Sequence, residues 1–217
     1  MAMGPESLAI DASHLSRRYG RRWALADVSF QLQRGAVMMV AGRNGSGKTT
    51  LLRILSTAIR PDLGRGVVLG HDLINGREEV RRATALLAHY SYLYESLTAL
   101  QNLDIVARFC GAPPSSAATA LARVGLADRA DDPVSTFSAG MRKRLSFARV
   151  LLQRPAIAFL DEPFGQLDPE GFALVEHVVA ELKGGGATVV IATHQVDRVT
   201  GFADVRLMLE QGRVVSA

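Results

Sequence analysis

Residues 42–50 read GRNGSGKTT and fit the pattern G-x-x-x-x-G-K-[ST], with Gly42, Gly47, Lys48 and Thr49 in the fixed places. A short apolar run, GAVMMVA, precedes them, and LLRILSTAI follows with apolar residues at helical spacing. Strand, glycine loop, helix is the context in which this pattern cradles phosphate. Glycines let backbone N–H groups turn inward, and the new helix points its positive end at the same place. Asn44, Gly45, Ser46 and Thr50 complete the loop. Lys48 offers a point charge to the outer phosphates, and the Thr49 hydroxyl can ligate Mg²⁺. The alternative, a glycine turn that only joins two elements, requires neither the lysine nor the matched flanks.

A chain of 217 residues fits one α/β domain with room for an inserted lobe. Apolar residues make up 48%, yet every apolar run falls short of the roughly 18 residues that span a bilayer. The opening MAMGPESLAID has no cationic segment before an apolar core, so no secretory signal is expected. One cysteine, Cys110, allows no internal disulfide and suits a reducing cytoplasm. A net charge of +4 suits nucleotide, acidic lipid headgroups or nucleic acid, and many ordinary proteins carry the same, so it decides little. No zinc spacing or interleaving of basic and aromatic residues points to a nucleic-acid module, so no nucleic-acid partner is expected.

Residues 8–12 and 28–32 alternate like strands, and residues 67–69 make another short strand after a turn-rich break, which together suggest a small antiparallel sheet. From 98 to 129 the pattern is helical, with Leu100, Leu103, Val106 and Phe109 near one face, a break at 111–115 and a second helix over 116–124. Ser138 can cap a helix through Gln153. Residues 156–160 (AIAFL) form an apolar strand, and Asp168-Pro169 starts a helix whose buried stripe is Phe172, Val175, Val178, Val179 and Leu182. Residues 187–192 form another strand, and a hairpin turns at Gln211-Gly212. The expected class is a P-loop NTPase core with a small antiparallel β subdomain and an inserted helical subdomain. Residues 1–87 and 154–217 would make the core, and 88–153 the helical part.

The strand AIAFL runs directly into Asp161 and Glu162. A carboxylate at the C-terminal end of a parallel strand faces the crevice where such sheets bind ligands. Asp161 can hold Mg²⁺ through water, and Glu162 can accept a proton from an attacking water. The pair lies 113 residues after Lys48 (161 − 48).

The order of parts is now readable: Tyr19, GRNGSGKT, FSAGM at 137–141, LDEP at 160–163, QLD at 166–168 and THQ at 193–195. Over nearly its whole length the chain resembles the nucleotide-binding subunit of ATP-binding cassette (ABC) transporters. The resemblance implies Mg²⁺ with ATP as substrate, and a head-to-tail dimer, with a homodimer expected. In that dimer Ser138, Ala139 and Gly140 face the ATP of the other chain. It implies that Tyr19 stacks on adenine, although packing in the small sheet is the other reading of a single aromatic. His194 would hydrogen-bond the γ-phosphate beside Glu162. Asp168 would sit at the dimer seam, or serve only as a helix cap.

Four positions depart from the family pattern. Phe137, Ala139 and Met141 replace Leu, Gly and Gln of the usual L-S-G-G-Q element, and Met141 loses a hydrogen-bonding amide. His89, 41 residues after Lys48 (89 − 48), occupies the place of a glutamine that senses Mg²⁺. The nearest glutamine, Gln101, falls on the following helix and is read as a surface residue. Tyr90, Tyr92 and Tyr94 lie beside that loop, either as a docking patch for a membrane partner or as core. The histidine, together with LTALQNL, SAGMRKRLSFAR and LDPEGF, looks most like the cytochrome c biogenesis subgroup.

The expected function is therefore an ATPase subunit at the cytoplasmic face of the membrane, driving export by separate integral membrane subunits, with haem as the cargo of that subgroup. The alternatives are an ABC-2-type lipid, drug or polysaccharide exporter, or a soluble ABC ATPase without a transporter. The 90 residues between Lys48 and Ser138 (138 − 48) hold no sustained heptads, which argues against the chromosome-maintenance kind.

Overall fold

The computed structural model describes residues 7–88 and 90–216. The chain divides into two compact units, one of residues 1–88, 156–163 and 183–217, the other of residues 89–155 and 164–182.

In the first unit, β1 (Leu8–Tyr19) and β2 (Arg22–Gln33) pair antiparallel up to Tyr19 opposite Arg22. Each runs 12 residues, well past the stretches that alternation predicts. Irregularities in register explain the difference, because each one flips the side chains that follow. His14 (φ 56°) and Asp27 (φ 64°) both adopt left-handed backbone, and His14 Nδ1 lies 2.6 Å from Asp27 Oδ1. With β4 (Leu63–Val68) and β5 (His71–Asp72) the sheet order is β2-β1-β4-β5, the small antiparallel sheet expected.

The second sheet has the order β10-β9-β3-β8-β7-β6. Its parallel strands are β3 (Val37–Ala41), β6 (Thr84–Leu87), β7 (Ile157–Asp161), β8 (Thr188–Thr193) and β9 (Val205–Glu210), and β10 (Arg213–Ser216) closes it antiparallel. Every residue of β3, β7 and β8 is buried, which is why these strands read as unbroken apolar runs. Parallel pairing sets Ala41, Asp161 and Thr193 along one edge, at the C-terminal ends of three neighbouring strands.

Helix α1 (Lys48–Leu55) buries Leu51, Leu52, Ile54 and Leu55 in this unit's core. Each such side chain contributes about 1.5–3 kcal/mol by leaving water. The helix ends short of the predicted Ile59. Arg77 and Arg81 donate to the Thr57 carbonyl at 2.8 and 3.0 Å, placing cations at the negative helix end. Arg77 belongs to α2 (Arg77–Ala83), which sequence periodicity does not reveal because its one buried residue is Val80. Asp204, just before β9, accepts from the backbone N–H of Val37 at 2.8 Å and from Lys183 at 2.8 and 2.9 Å. The short α7 (Val196–Thr200) follows β8.

In the second unit, α3 (Ala99–Cys110) starts in a reciprocal cap between Thr98 and Gln101 and stops at Gly111, φ 65°. It is followed by α4 (Ser116–Arg123) and α5 (Ala139–Gln153), and α6 (Pro169–Gly184) begins here. Asn102 is buried, accepts from the Tyr94 N–H and donates to the carbonyls of Tyr94 and Thr98. Phe109 corrects the helical reading: it is 88% exposed rather than aligned with buried Leu103, because the last turn of α3 has nothing packed over it at that angle. Val175, Val178, Val179 and Leu182 are buried as expected, whereas Phe172 is only part-buried and meets Phe164 edge-on at 6.0 Å. Among the described residues, no helix is long and apolar enough to cross a membrane.

Candidate active site

The loop between β3 and α1 wraps tightly. At Gly42 (φ 151°) a Cβ would sit 2.3 Å from the Leu209 carbonyl oxygen, and at Gly47 (φ 108°) 2.4 Å from that of Ala24. No side chain caps α1, so its first-turn N–H groups look into the loop. Lys48 is buried, and its ammonium donates to the carbonyls of Gly42 at 2.8 Å and Arg43 at 3.3 Å. It also lies 3.5 Å from Glu162 Oε1. A buried cation on a glycine loop fits an anionic ligand that compensates its desolvation. The loop residues 42–46, Arg22, His194 and the turn between β9 and β10 line a cavity of about 630 Å³.

Asp161 and Glu162 stand at the end of β7. The Thr49 hydroxyl donates to Asp161 Oδ1 at 3.0 Å, and Asp161 is 2% exposed. Two hard oxygen donors at the mouth of a phosphate loop suit Mg²⁺, which takes one or two protein ligands and completes its shell with substrate phosphates and water. No cluster of three or more His, Cys, Asp or Glu able to hold a metal occurs among the described residues.

Glu162 adopts left-handed backbone, φ 45°, and its N–H donates to the Ala192 carbonyl of β8 at 2.8 Å. Its Oε2 lies 2.9 Å from His194 Nδ1 and also accepts from the His194 N–H at 3.4 Å and the Thr193 hydroxyl at 3.3 Å. The structure thus brings together Lys48, Thr49, Asp161, Glu162 and His194, as sequence order suggests, and adds Thr193, Arg22 and Arg43.

Tyr19 lies at the hairpin tip, 48% exposed, with the Arg17 guanidinium 5.2 Å from its ring centroid. Trp23 carries Arg18 in the same way at 5.9 Å. Residues 17–23, RRYGRRW, therefore do interleave basic and aromatic side chains, which the sequence reading passed over.

In the second unit, the Ser138 hydroxyl accepts from the Met141 N–H at 3.2 Å and caps α5, leaving Ala139 and Gly140 in the first turn. Asp168 caps α6 by accepting from the Gly171 N–H at 2.8 Å, and Arg144 lies 3.6 Å from it. Tyr90, Tyr92 and Tyr94 are 74%, 66% and 60% exposed, so the core reading of these tyrosines fails. The segment is anchored by Arg149, which donates to the Ser91 carbonyl at 3.0 Å and whose pKa burial lowers. His89 lies outside the described residues.

Residues 25–165 match the family model described as ABC transporter. The chain belongs to the ABC transporter ATP-binding family. This ABC ATPase is 40% identical over 212 residues to the daunorubicin resistance ATP-binding protein DrrA3 of Streptomyces coeruleorubidus, across 96% of this chain and 67% of that one. It is 34% identical to the daunorubicin/doxorubicin resistance ATP-binding protein DrrA of Streptomyces peucetius, across 96% of this chain and 64% of the relative. The cassette thus spans about two thirds of the length of these relatives. A solved structure titled as the ATP binding subunit of an ABC transporter superposes with a TM-score of 0.88 at 28% identity, covering 96% of this chain and 88% of that one. These relatives are named for drug resistance, which corrects the cytochrome c biogenesis expectation.

Proposed function

We propose that the chain hydrolyses Mg-ATP as the energy-supplying subunit of a drug exporter, with residues 1–217 acting as one cassette on the cytoplasmic face of separate membrane subunits. The observation that carries the hydrolytic part is the meeting of Lys48, Thr49, Asp161, Glu162 and His194 at the C-terminal edge of the parallel sheet. The drug-export part rests on the names of the relatives, which match 96% of the chain.

In this reading the N–H groups of the glycine loop and the Lys48 ammonium bind the β- and γ-phosphates. Thr49 and Asp161 would hold Mg²⁺, which neutralises charge on the phosphate oxygens. Glu162 takes a proton from the attacking water, and His194 steadies the γ-phosphate and the Glu162 carboxylate. Tyr19, half-exposed at the hairpin tip, offers a face to adenine. Ser138, Ala139 and Gly140 at the start of α5 would meet the γ-phosphate held by a second copy, with Asp168 near that seam. The exposed Tyr90, Tyr92 and Tyr94 would take a helix of the membrane subunit, since aromatic side chains anchor such contacts.

Glu162→Gln tests the chemistry. ATP binding should persist while kcat falls by at least about 100-fold, and ATP should then hold two copies together on size exclusion. Wild-type turnover in the purified variant would overturn the assignment. Removing the protein from its source cell should sensitise it to daunorubicin, and an unchanged inhibitory concentration would overturn the drug-export reading.

A further inference from the structure

Thr193 is fully buried at the last position of β8, beside the end of β7 from which Glu162 emerges. Its hydroxyl accepts a hydrogen bond from the Gln195 N–H at 3.0 Å and donates to Glu162 Oε2 at 3.3 Å. A hydroxyl has one proton and two lone pairs, and with one lone pair engaged by the Gln195 N–H, the proton is directed at the carboxylate. The Gln195 bond also fixes the rotamer of a β-branched residue that has few to choose from. Glu162 stands on left-handed backbone, and its carboxylate is gathered through Oε2 by the hydroxyl of Thr193 and by His194. This turns Oε1 toward Lys48, at 3.5 Å.

We propose that Thr193 is a positioning residue for Glu162: its hydroxyl, locked by the Gln195 N–H, holds Oε2 so that Oε1 receives the proton of the attacking water. The inference rests on Glu162 being the base. His194 cannot supply this restraint alone. Its ring is 49% exposed, whereas Thr193 is held in a strand buried along its whole length. A carboxylate free to swing by 1 Å loses up to about 100-fold in rate. Thr193 acts through the Glu162 carboxylate rather than through the phosphate loop, so its loss should leave ATP binding unchanged.

The test compares Thr193→Val, which keeps the shape and removes the hydroxyl, with Thr193→Ser, which keeps the hydroxyl. Steady-state ATPase activity is measured together with ATP affinity by a fluorescent analogue and with melting temperature. Thr193→Val should lower kcat between about 10- and 100-fold with KM and affinity within about two-fold, and Thr193→Ser should recover at least half of the wild-type kcat. Should the valine variant fail to fold, Thr193→Ala, which also lacks the hydroxyl, must show the same split. Wild-type kcat in Thr193→Val, an equal loss in Thr193→Ser, or a parallel fall of kcat and affinity would each overturn the proposal. Glu162→Gln separates the two levels. If it is inactive and Thr193→Val is not, only the positioning role fails; if Glu162→Gln turns over normally, the base assignment fails and takes the positioning role with it. Combining Glu162→Gln with Thr193→Val should lower kcat no further, because the hydroxyl acts through the carboxylate.

Discussion

The Thr49 hydroxyl donates to Asp161 Oδ1 at 3.0 Å, and this one bond ties the first turn of α1 to the end of β7. Residues 112 positions apart thereby present two oxygens side by side (161 − 49). Thr49→Ala should raise the Mg²⁺ concentration needed for half-maximal ATPase activity about 10-fold or more, within the range expected when one partner of a ligand pair is lost. Thr49→Ser should restore it. A Mg²⁺ titration at fixed ATP, ended by chelation to confirm full loss of activity, reads the effect. An unchanged titration curve for Thr49→Ala would remove the hydroxyl from the metal site.

Lys48→Ala and Ser138→Arg disable separate halves of a composite pocket if two chains share each ATP. Mixing the two inactive variants should then recover ATPase activity, because each mixed dimer holds one intact pocket. Ser138→Arg also removes the cap of α5, a cost of about 1 kcal/mol, so its melting temperature is checked first. No recovery in demonstrably mixed dimers would mean that each chain works alone.

Ser46 predicts an opposite sign. It is 5% exposed, and its hydroxyl has no hydrogen-bond partner among the described residues. A buried polar group left unpaired costs about 1–3 kcal/mol. Ser46→Ala should therefore be as stable as wild type or more so in chemical denaturation. A loss beyond about 1 kcal/mol would show that the hydroxyl has a stabilising role.

Asp204 predicts a pH dependence. The hydrogen bond from Lys183 and that from the Val37 N–H hold its carboxyl below the ordinary carboxylate pKa. A depressed folded-state pKa means that the stabilisation is complete above the unfolded value, about 3.9, and is lost as pH falls through the lower folded value. The stability gap between wild type and Asp204→Asn should be present at pH 7 and shrink progressively below about pH 4. A gap that stays constant down to pH 2.5 would contradict the linkage. The group is largely exposed, so the gap is modest.

The positions of the glycine loop and of the Asp161–Glu162 pair were legible from local pattern: a glycine loop between strand and helix, and polar residues ending an apolar strand. The same holds for the caps Ser138 and Asp168, whose helices begin where the sequence places them. His194 was singled out only by its order after the other motifs, through the family resemblance. Thr193 was not legible. A threonine closing a β-branched strand has no signature, and its meaning depends on a neighbour 31 positions away (193 − 162). Helix α2 escaped because six of its seven residues are Arg, Glu or Ala, and one valine makes no period. Phe109 was misplaced because a 3.6-residue period continues to the end of a helix whether or not anything is packed there. The full length of β1 and β2 was hidden by bulges, since a single left-handed residue such as His14 shifts the alternation.

Glu162 is a carboxylate on backbone that suits glycine or asparagine, and holding a larger side chain at φ 45° costs on the order of 1 kcal/mol or more. With Glu162 as the proposed base, folding and hydrolysis ask for different amino acids at one position. Glu162→Gly, which relaxes the backbone, should make a chain that melts later and hydrolyses nothing, whereas Glu162→Gln keeps the strain and loses only the chemistry. Later melting of Glu162→Gly would show that this site gives up stability for turnover, whereas earlier melting would show that the bonds of the carboxylate to Thr193, His194 and Lys48 outweigh the backbone strain.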